Sequence, residues 1–177
     1  MASSSHKAAP GGVPASLLQL DAKVRQAAAD RAALPELRVS MSVTGGVAGE
    51  RYDFRFDVSG DGRVTCQMSC ELFQREYKAR PAKIPQATLA ELLRKINVEE
   101  MARASESQPA IPPDSLVGRL EISDGEQTFT TVFMADPEQA RTAGYEIPSE
   151  LRQLIDTIYD LAAKQMNAEN VGPYSKT

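Results

Sequence analysis

The chain has 177 residues, 42% of them hydrophobic and 25% charged, enough for one domain with a single packed core. Its net charge of −4 and pI near 5.1 argue against nucleic-acid binding, which needs a net basic surface or a strong basic patch. The only basic cluster, Arg75, Lys78, Arg80 and Lys83, is interrupted by Glu76 and reads as a solvated face.

Residues 1–13 are small, polar and rich in Pro and Gly, and a disordered leader is expected there. The leader lacks the apolar stretch of a secretory signal, and no run approaches the roughly 18 apolar residues of a membrane span. A cytoplasmic protein is therefore expected, and two cysteines, Cys66 and Cys70, suit that compartment as buried thiols. Residues 14–34 predict a helix, with Pro14 near its start, Ser16 as N-cap and Pro35 ending it. Its apolar stripe is thin (Leu17, Leu20, Val24, Ala27, Ala28), so the helix is expected to gain little on its own domain: fraying, loose packing and docking on a partner all stay open.

Residues 37–70 organise the rest. Val39, Met41 and Val43 alternate with polar residues, as do Tyr52, Phe54, Phe56 and Val58, and then Val64, Cys66, Met68 and Cys70. Period two over three runs predicts an antiparallel sheet with one buried and one wet face. Gly45, Gly46 and Gly49 make a hairpin with Val47 and Ala48 at its tip, and Ser59 to Gly62 make a second. Residues 71–83 lose the phase, with Leu72 and Tyr77 out of step, and read as a strand end and a loop.

Residues 85–97 predict a helix burying Leu89, Leu92, Leu93 and Ile96, with Asn97 as its C-terminal cap and a short turn over Val98 to Ala102. Ala104 to Pro113 is expected to be an extended linker. A hairpin follows, turning at Asp124-Gly125. Leu116, Leu120 and Ile122 share one face of its first strand, with Gly118 where a side chain would be. In its second strand either Phe129, Thr131 and Phe133 or Thr130, Val132 and Met134 face the core. Residues 135–147 read as a loop whose tip, Ala143-Gly144-Tyr145, is a candidate exposed segment. Residues 148–166 form the clearest helix, with Leu151, Leu154, Ile155, Ile158 and Leu161 on one stripe, and 167–177 a disordered polar tail. The expected fold is α+β: a mostly antiparallel five-stranded sheet with helices on one face, in the order α-βββ-α-ββ-α, forming a single domain over 37–166.

Catalytic chemistry finds little support. The single histidine, His6, lies in the leader, which removes Ser-His-Asp and Cys-His catalysis and His-dependent zinc sites. No phosphate-binding fingerprint is present, and two cysteines are too few for a four-cysteine zinc site. Asp57, Ser59 and Asp61 match the first half of a calcium loop, but Met68 stands where the bidentate glutamate belongs and the flanks are strands. A plain hairpin turn is the alternative. The carboxylates Asp114, Glu121, Asp124 and Glu126 gather near the later hairpin, where an acid–base pair or a wet sheet face explains them. No enzyme activity, cofactor or metal is expected.

Gly45-Gly46-x-x-Gly49 after a strand, Leu89, Leu92 and Leu93 on a helix, Pro113-Asp114 before a strand, Asp124-Gly125, and a helix opened by Pro148 together resemble the emfourin-type family of small inhibitors of thermolysin-like metallopeptidases. The resemblance spans about residues 37–162. The chain departs from it in its extension at 1–36, in Val117 where an aromatic is expected, and in longer segments at 104–113 and 135–147. The resemblance implies a non-catalytic protein-binding domain whose partner is a metallopeptidase, with no nucleic acid and no membrane insertion. A preformed loop fills a cleft at little entropic cost, which points to Gly45, Gly46, Val47, Ala48 and Gly49, and to Gly144 and Tyr145. The alternative is a structural or adaptor subunit of a larger assembly, docking through the N-terminal helix and the tails.

Overall fold

The computed structural model describes residues 12–31, 33–47, 49–169 and 171–173. His6 and most of the expected leader lie outside this range. Period-two alternation gives a long first strand, β1 (Leu34–Gly45), followed by β2 (Tyr52–Gly60) and β3 (Arg63–Cys70). Two short strands come next, β4 (Arg75–Lys78) and β5 (Ala82–Lys83), then β6 (Val117–Ser123) and β7 (Thr128–Met134). The sheet runs β4-β3-β2-β1-β6-β7, with β5 also paired to β3, and every pairing is antiparallel.

The helices are α1 (Ala15–Asp30), α2 (Gln86–Arg94), α3 (Val98–Ser105), α4 (Pro137–Thr142) and α5 (Ser149–Met166). The fold is α+β, as the alternation implies. The sheet has seven strands rather than five: the stretch expected to end β3 and then loop folds back on that strand twice. Met68 opposes Tyr77 and Val64 opposes Ala82.

One face of the sheet is closed. Val39, Met41 and Val43 of β1, Phe54 and Phe56 of β2, Val64 of β3, and Leu120 and Ile122 of β6 are all buried, and they join Leu92, Leu154 and Ile158 of the helices in one core. In β7 the choice left open resolves to Phe129, Thr131 and Phe133, which are buried; Val132 is 50% exposed, while Met134, at the strand end, is buried as well. Thr131 has a partner for its hydroxyl, the Oγ of Ser105, at 2.7 Å.

The N-terminal helix corrects the expectation of loose attachment. Leu20 and Val24 are fully buried, and Ala27 and Ala28 are nearly so. Small side chains let α1 lie close against its neighbours instead of depriving it of packing. Its Asp21 is also buried, takes the Val98 amide at 2.7 Å and pairs with Arg25 at 2.6 Å. Asp21 thus satisfies an open N–H at the start of α3. Asn97, expected to cap the end of α2, instead N-caps α3 by accepting the Glu100 amide at 3.1 Å.

The C-terminal tail is likewise partly docked. Val171 is buried, and the Tyr52 hydroxyl donates to its carbonyl. The expected loop at 135–147 contains α4, whose N-cap Asp136 accepts the amides of Glu138 and Gln139 at 2.8 and 3.0 Å. Among the described residues no helix is long and apolar enough to cross a membrane.

Candidate functional site

The β1–β2 hairpin is shaped by its glycines. Gly45 and Gly46 have φ of +146° and +94°. A Cβ on Gly45 would lie 2.6 Å from the Ser115 carbonyl, and one on Gly46 would lie 2.5 Å from the Glu50 carbonyl. Both positions therefore require glycine for conformation and for space. The turn closes with the Glu50 amide donating to the Val47 carbonyl at 2.9 Å. Val47 stands 55% exposed at the tip. Ala48, beside it, lies outside the described residues.

A side chain from the next connection holds this hairpin. Glu71, just past β3, accepts the Gly49 and Arg51 amides through one carboxylate oxygen, at 2.9 and 3.2 Å. Its own amide donates to the Arg51 carbonyl at 2.9 Å. Glu71 also opens the tight turn to β4, in which Gln74 takes a positive φ of 51° and returns its amide to the Glu71 carbonyl at 3.1 Å. That turn presents Leu72 and Phe73, 56% and 42% exposed, with the Arg75 guanidinium 5.5 Å from the centre of the Phe73 ring. Three of the five large exposed hydrophobic side chains among the described residues thus sit on two turns that share one carboxylate. Sequence reasoning found Val47 but missed Glu71, Leu72 and Phe73. The signal was the phase break at Leu72, which marks an apolar residue outside the buried row.

The second candidate loop comes off the same end of the sheet. Thr44 opposes Val117, and Val117 opposes Met134, so Gly45 and the start of α4 lie at one edge. Gln139 of α4 accepts the Leu116 amide at 3.2 Å, beside the point where Gly45 meets Ser115 and Leu116. Gly144 is exposed, with φ of 67° at the end of α4. Tyr145 is not at the surface. It is 5% exposed, its amide returns to the Ala140 carbonyl at 2.8 Å and its hydroxyl donates to the Val132 carbonyl at 3.3 Å. The segment Ala143-Gly144-Tyr145 is a helix terminus whose aromatic residue turns inward, so Tyr145 supports the loop end rather than presenting itself there.

Among the described residues the shifted titratable groups include no poised base or nucleophile. Burial raises the Tyr52 and Tyr159 hydroxyls well above the ordinary tyrosine range and pushes the Cys66 thiol up to about 11. Both cysteines are free and buried. The partial calcium motif closes on itself: Ser59 donates to Asp61 at 2.6 Å, while Asp57 accepts from Ser40 at 2.6 Å. The Ser59 bond, more than any other contact, holds the Asp61 carboxyl below its usual range. Among the described residues no group of three His, Cys, Asp or Glu is placed to hold a metal ion. Of the four carboxylates near the later hairpin, Asp124 is buried and paired with Lys23 at 2.6 Å, and Glu121 is paired with Arg119 at 3.2 Å.

Two of the openings among the described residues touch β1. One, of about 240 Å³, lies between the end of α1 and the start of β1, walled by Ala27, Leu34, Lys23 and Asp124. The other, of about 140 Å³, is a shallow groove along β1 on the wet face of the sheet, with Ser40 and Ser42 as its floor. Arg55 and Asp57 line one side of it, and Arg119 and Glu121 the other.

No protein-family model matches the chain, and no curated protein sequence matches it.

Proposed function

We propose that this chain is a non-catalytic, cytoplasmic protein-binding domain that docks through the loop end of its sheet, in the manner of an emfourin-type metallopeptidase inhibitor. The observation that carries the reading is the shared clamp. One Glu71 carboxylate fixes the Val47 hairpin beside the Leu72-Phe73 turn, so apolar side chains are displayed on backbone that is already ordered. Ordered loops lose little entropy on docking, and exposed aromatic and aliphatic anchors supply most of the energy of an interface. The resemblance at 37–162 supplies the class of partner. Two buried free thiols suit a reducing compartment. An adaptor docking through α1 would use its outer face, where Leu18 is exposed, since Leu20 and Val24 are held in the core.

The test is an inhibition assay. A purified thermolysin-like metallopeptidase is titrated with the full chain and with Val47→Asp and Leu72→Asp variants. Inhibition by the wild type and a loss of at least tenfold in each variant, about 1.4 kcal/mol, with unchanged circular dichroism, is the expected result. A wild type that leaves the peptidase untouched, or variants as potent as the wild type, sinks the reading.

A further inference from the structure

Among the described residues no helix covers the wet face of the sheet, and its charges fall in rows across the strands. Arg55 of β2 and Arg119 of β6 both oppose Ser42 of β1, so they share one row. Asp57 and Glu121 both oppose Ser40, in the next row. Beyond the acidic row comes Arg38, and beyond the basic row comes Asp53, so the order along the strands is plus, minus, plus, minus. Such an order is antisymmetric about the line between its two middle rows.

We propose that this face is the interface of a homodimer with two-fold symmetry. The axis lies in the plane of contact, across the strands, between the Ser40 and Ser42 rows. That operation reverses the order of the rows in the second copy. Arg55 of each copy then faces Asp57 of the other, and Arg119 faces Glu121 of the other. A two-fold axis along the strands would set like charges against each other, so the charge pattern selects the first arrangement. β1, at the centre, presents only the small Ser40 and Ser42 between the charged walls, and this allows the two sheets to approach.

The size suits a weak dimer. β4 pairs only over Gln67 to Cys70, so five strands at about 4.8 Å and four rows at about 6.7 Å set the face at roughly 19 by 20 Å. Two copies would bury about 800 Å², below the roughly 1,200 Å² of stable interfaces, so the dimer is one that forms at high concentration. Aligned packing of two sheets at about −30° keeps the central rows opposed. The partner is a second copy because the pattern complements itself; another protein would need to reproduce the same stripes. This surface is the broad side of the sheet, separate from the Val47 and Leu72 turns, so its test does not depend on the inhibitor reading.

Sedimentation equilibrium of the full chain at about 100 µM, in low salt and then near 1 M salt, where the screening length falls to about 3 Å, reads the dimer directly. The expected result is a dimer at low salt that weakens at least tenfold at high salt. The double variant Arg55→Glu with Arg119→Glu should be a folded monomer, since these side chains are exposed. Adding Asp57→Arg and Glu121→Arg to the same chain restores the opposed order and should restore the dimer. Should the reversed chain fail to fold, Arg55→Gln with Arg119→Gln serves in its place and should weaken the dimer at least tenfold. A monomeric wild type at low salt, a dimer indifferent to the reversal, or no recovery in the fourfold swap overturns the proposal.

Discussion

Asp124 shows how one side chain can serve two elements. It sits in the β6–β7 turn, closed from solvent, and its Oδ1 accepts the Glu126 and Gln127 amides at 3.1 and 2.8 Å while Oδ2 takes Lys23 of α1 at 2.6 Å. Burial pushes its carboxyl upward, but the bonds from Lys23 and the two amides outweigh burial and leave it below the usual carboxylate range. A carboxyl with a depressed folded pKa stabilises the fold above its unfolded value, near 3.8, and that contribution fades as pH falls through the folded value. Asp124→Asn keeps an oxygen for the amides and removes the charge. It should lower stability at pH 7, and urea titrations should show its difference from wild type shrinking below about pH 3.8. Asp124→Ala also strands the amides and should cost about 1–3 kcal/mol. In the sequence Asp124-Gly125 is legible as a turn because that dipeptide suits a hairpin locally. Its pairing with Lys23, 101 residues away, is not, because period and turn chemistry carry no information about which helix crosses which turn. Tyr145 fails for a related reason: a residue beside an exposed glycine looks exposed until α4 turns its ring inward.

At the scale of elements, long periodic segments are legible and short ones are not. β1, β2, β3, α2 and α5 announce themselves through several repeats of their period, whereas β5 has two residues and α4 has six. Segments that short are stabilised by the strand or helix they lie against, so their own sequence is a weak guide. The undecided face of β7 is settled by β6. Gly118 opposes Phe133, and a Cβ on Gly118 would fall inside the contact distance of the Phe133 ring. The missing side chain in the first strand of the hairpin is thus the space for an aromatic ring in the second, which fixes Phe129, Thr131 and Phe133 inward. Gly118→Ala should overpack this point and destabilise by about 1–3 kcal/mol. Phe133→Leu should also destabilise when introduced alone. The double variant should lose less than the sum of the two, and a denaturant double-mutant cycle measures the coupling. Strict additivity would mean that the two residues do not share the space.

For the whole molecule the decisive question is whether α1 is an appendage. The alanine-rich stripe is legible in the sequence as a thin one, but a thin stripe is what close helix packing against α2 and α3 requires. Polar links reinforce it, among them Asp21 on the Val98 amide, Lys23 on Asp124, and Gln19 accepting from Gln127 at 2.9 Å. These join the first helix to the start of α3 and to the β6–β7 turn, so α1 should melt with the rest. Leu20 is fully buried, and Leu20→Ala should cost about 2–5 kcal/mol and lower the midpoint of one cooperative transition. An appended helix would behave differently: its signal would change first, and the sheet would unfold later at an unaltered midpoint. Following urea unfolding by far-ultraviolet circular dichroism and by tyrosine absorbance separates the cases. None of the five tyrosines lies in α1, and Tyr52 and Tyr145 are buried, so the absorbance reports the body of the fold independently of the helix. Coincident curves that shift together in Leu20→Ala place α1 inside the folding unit. Separated curves would make the helix a docking arm and favour the adaptor reading.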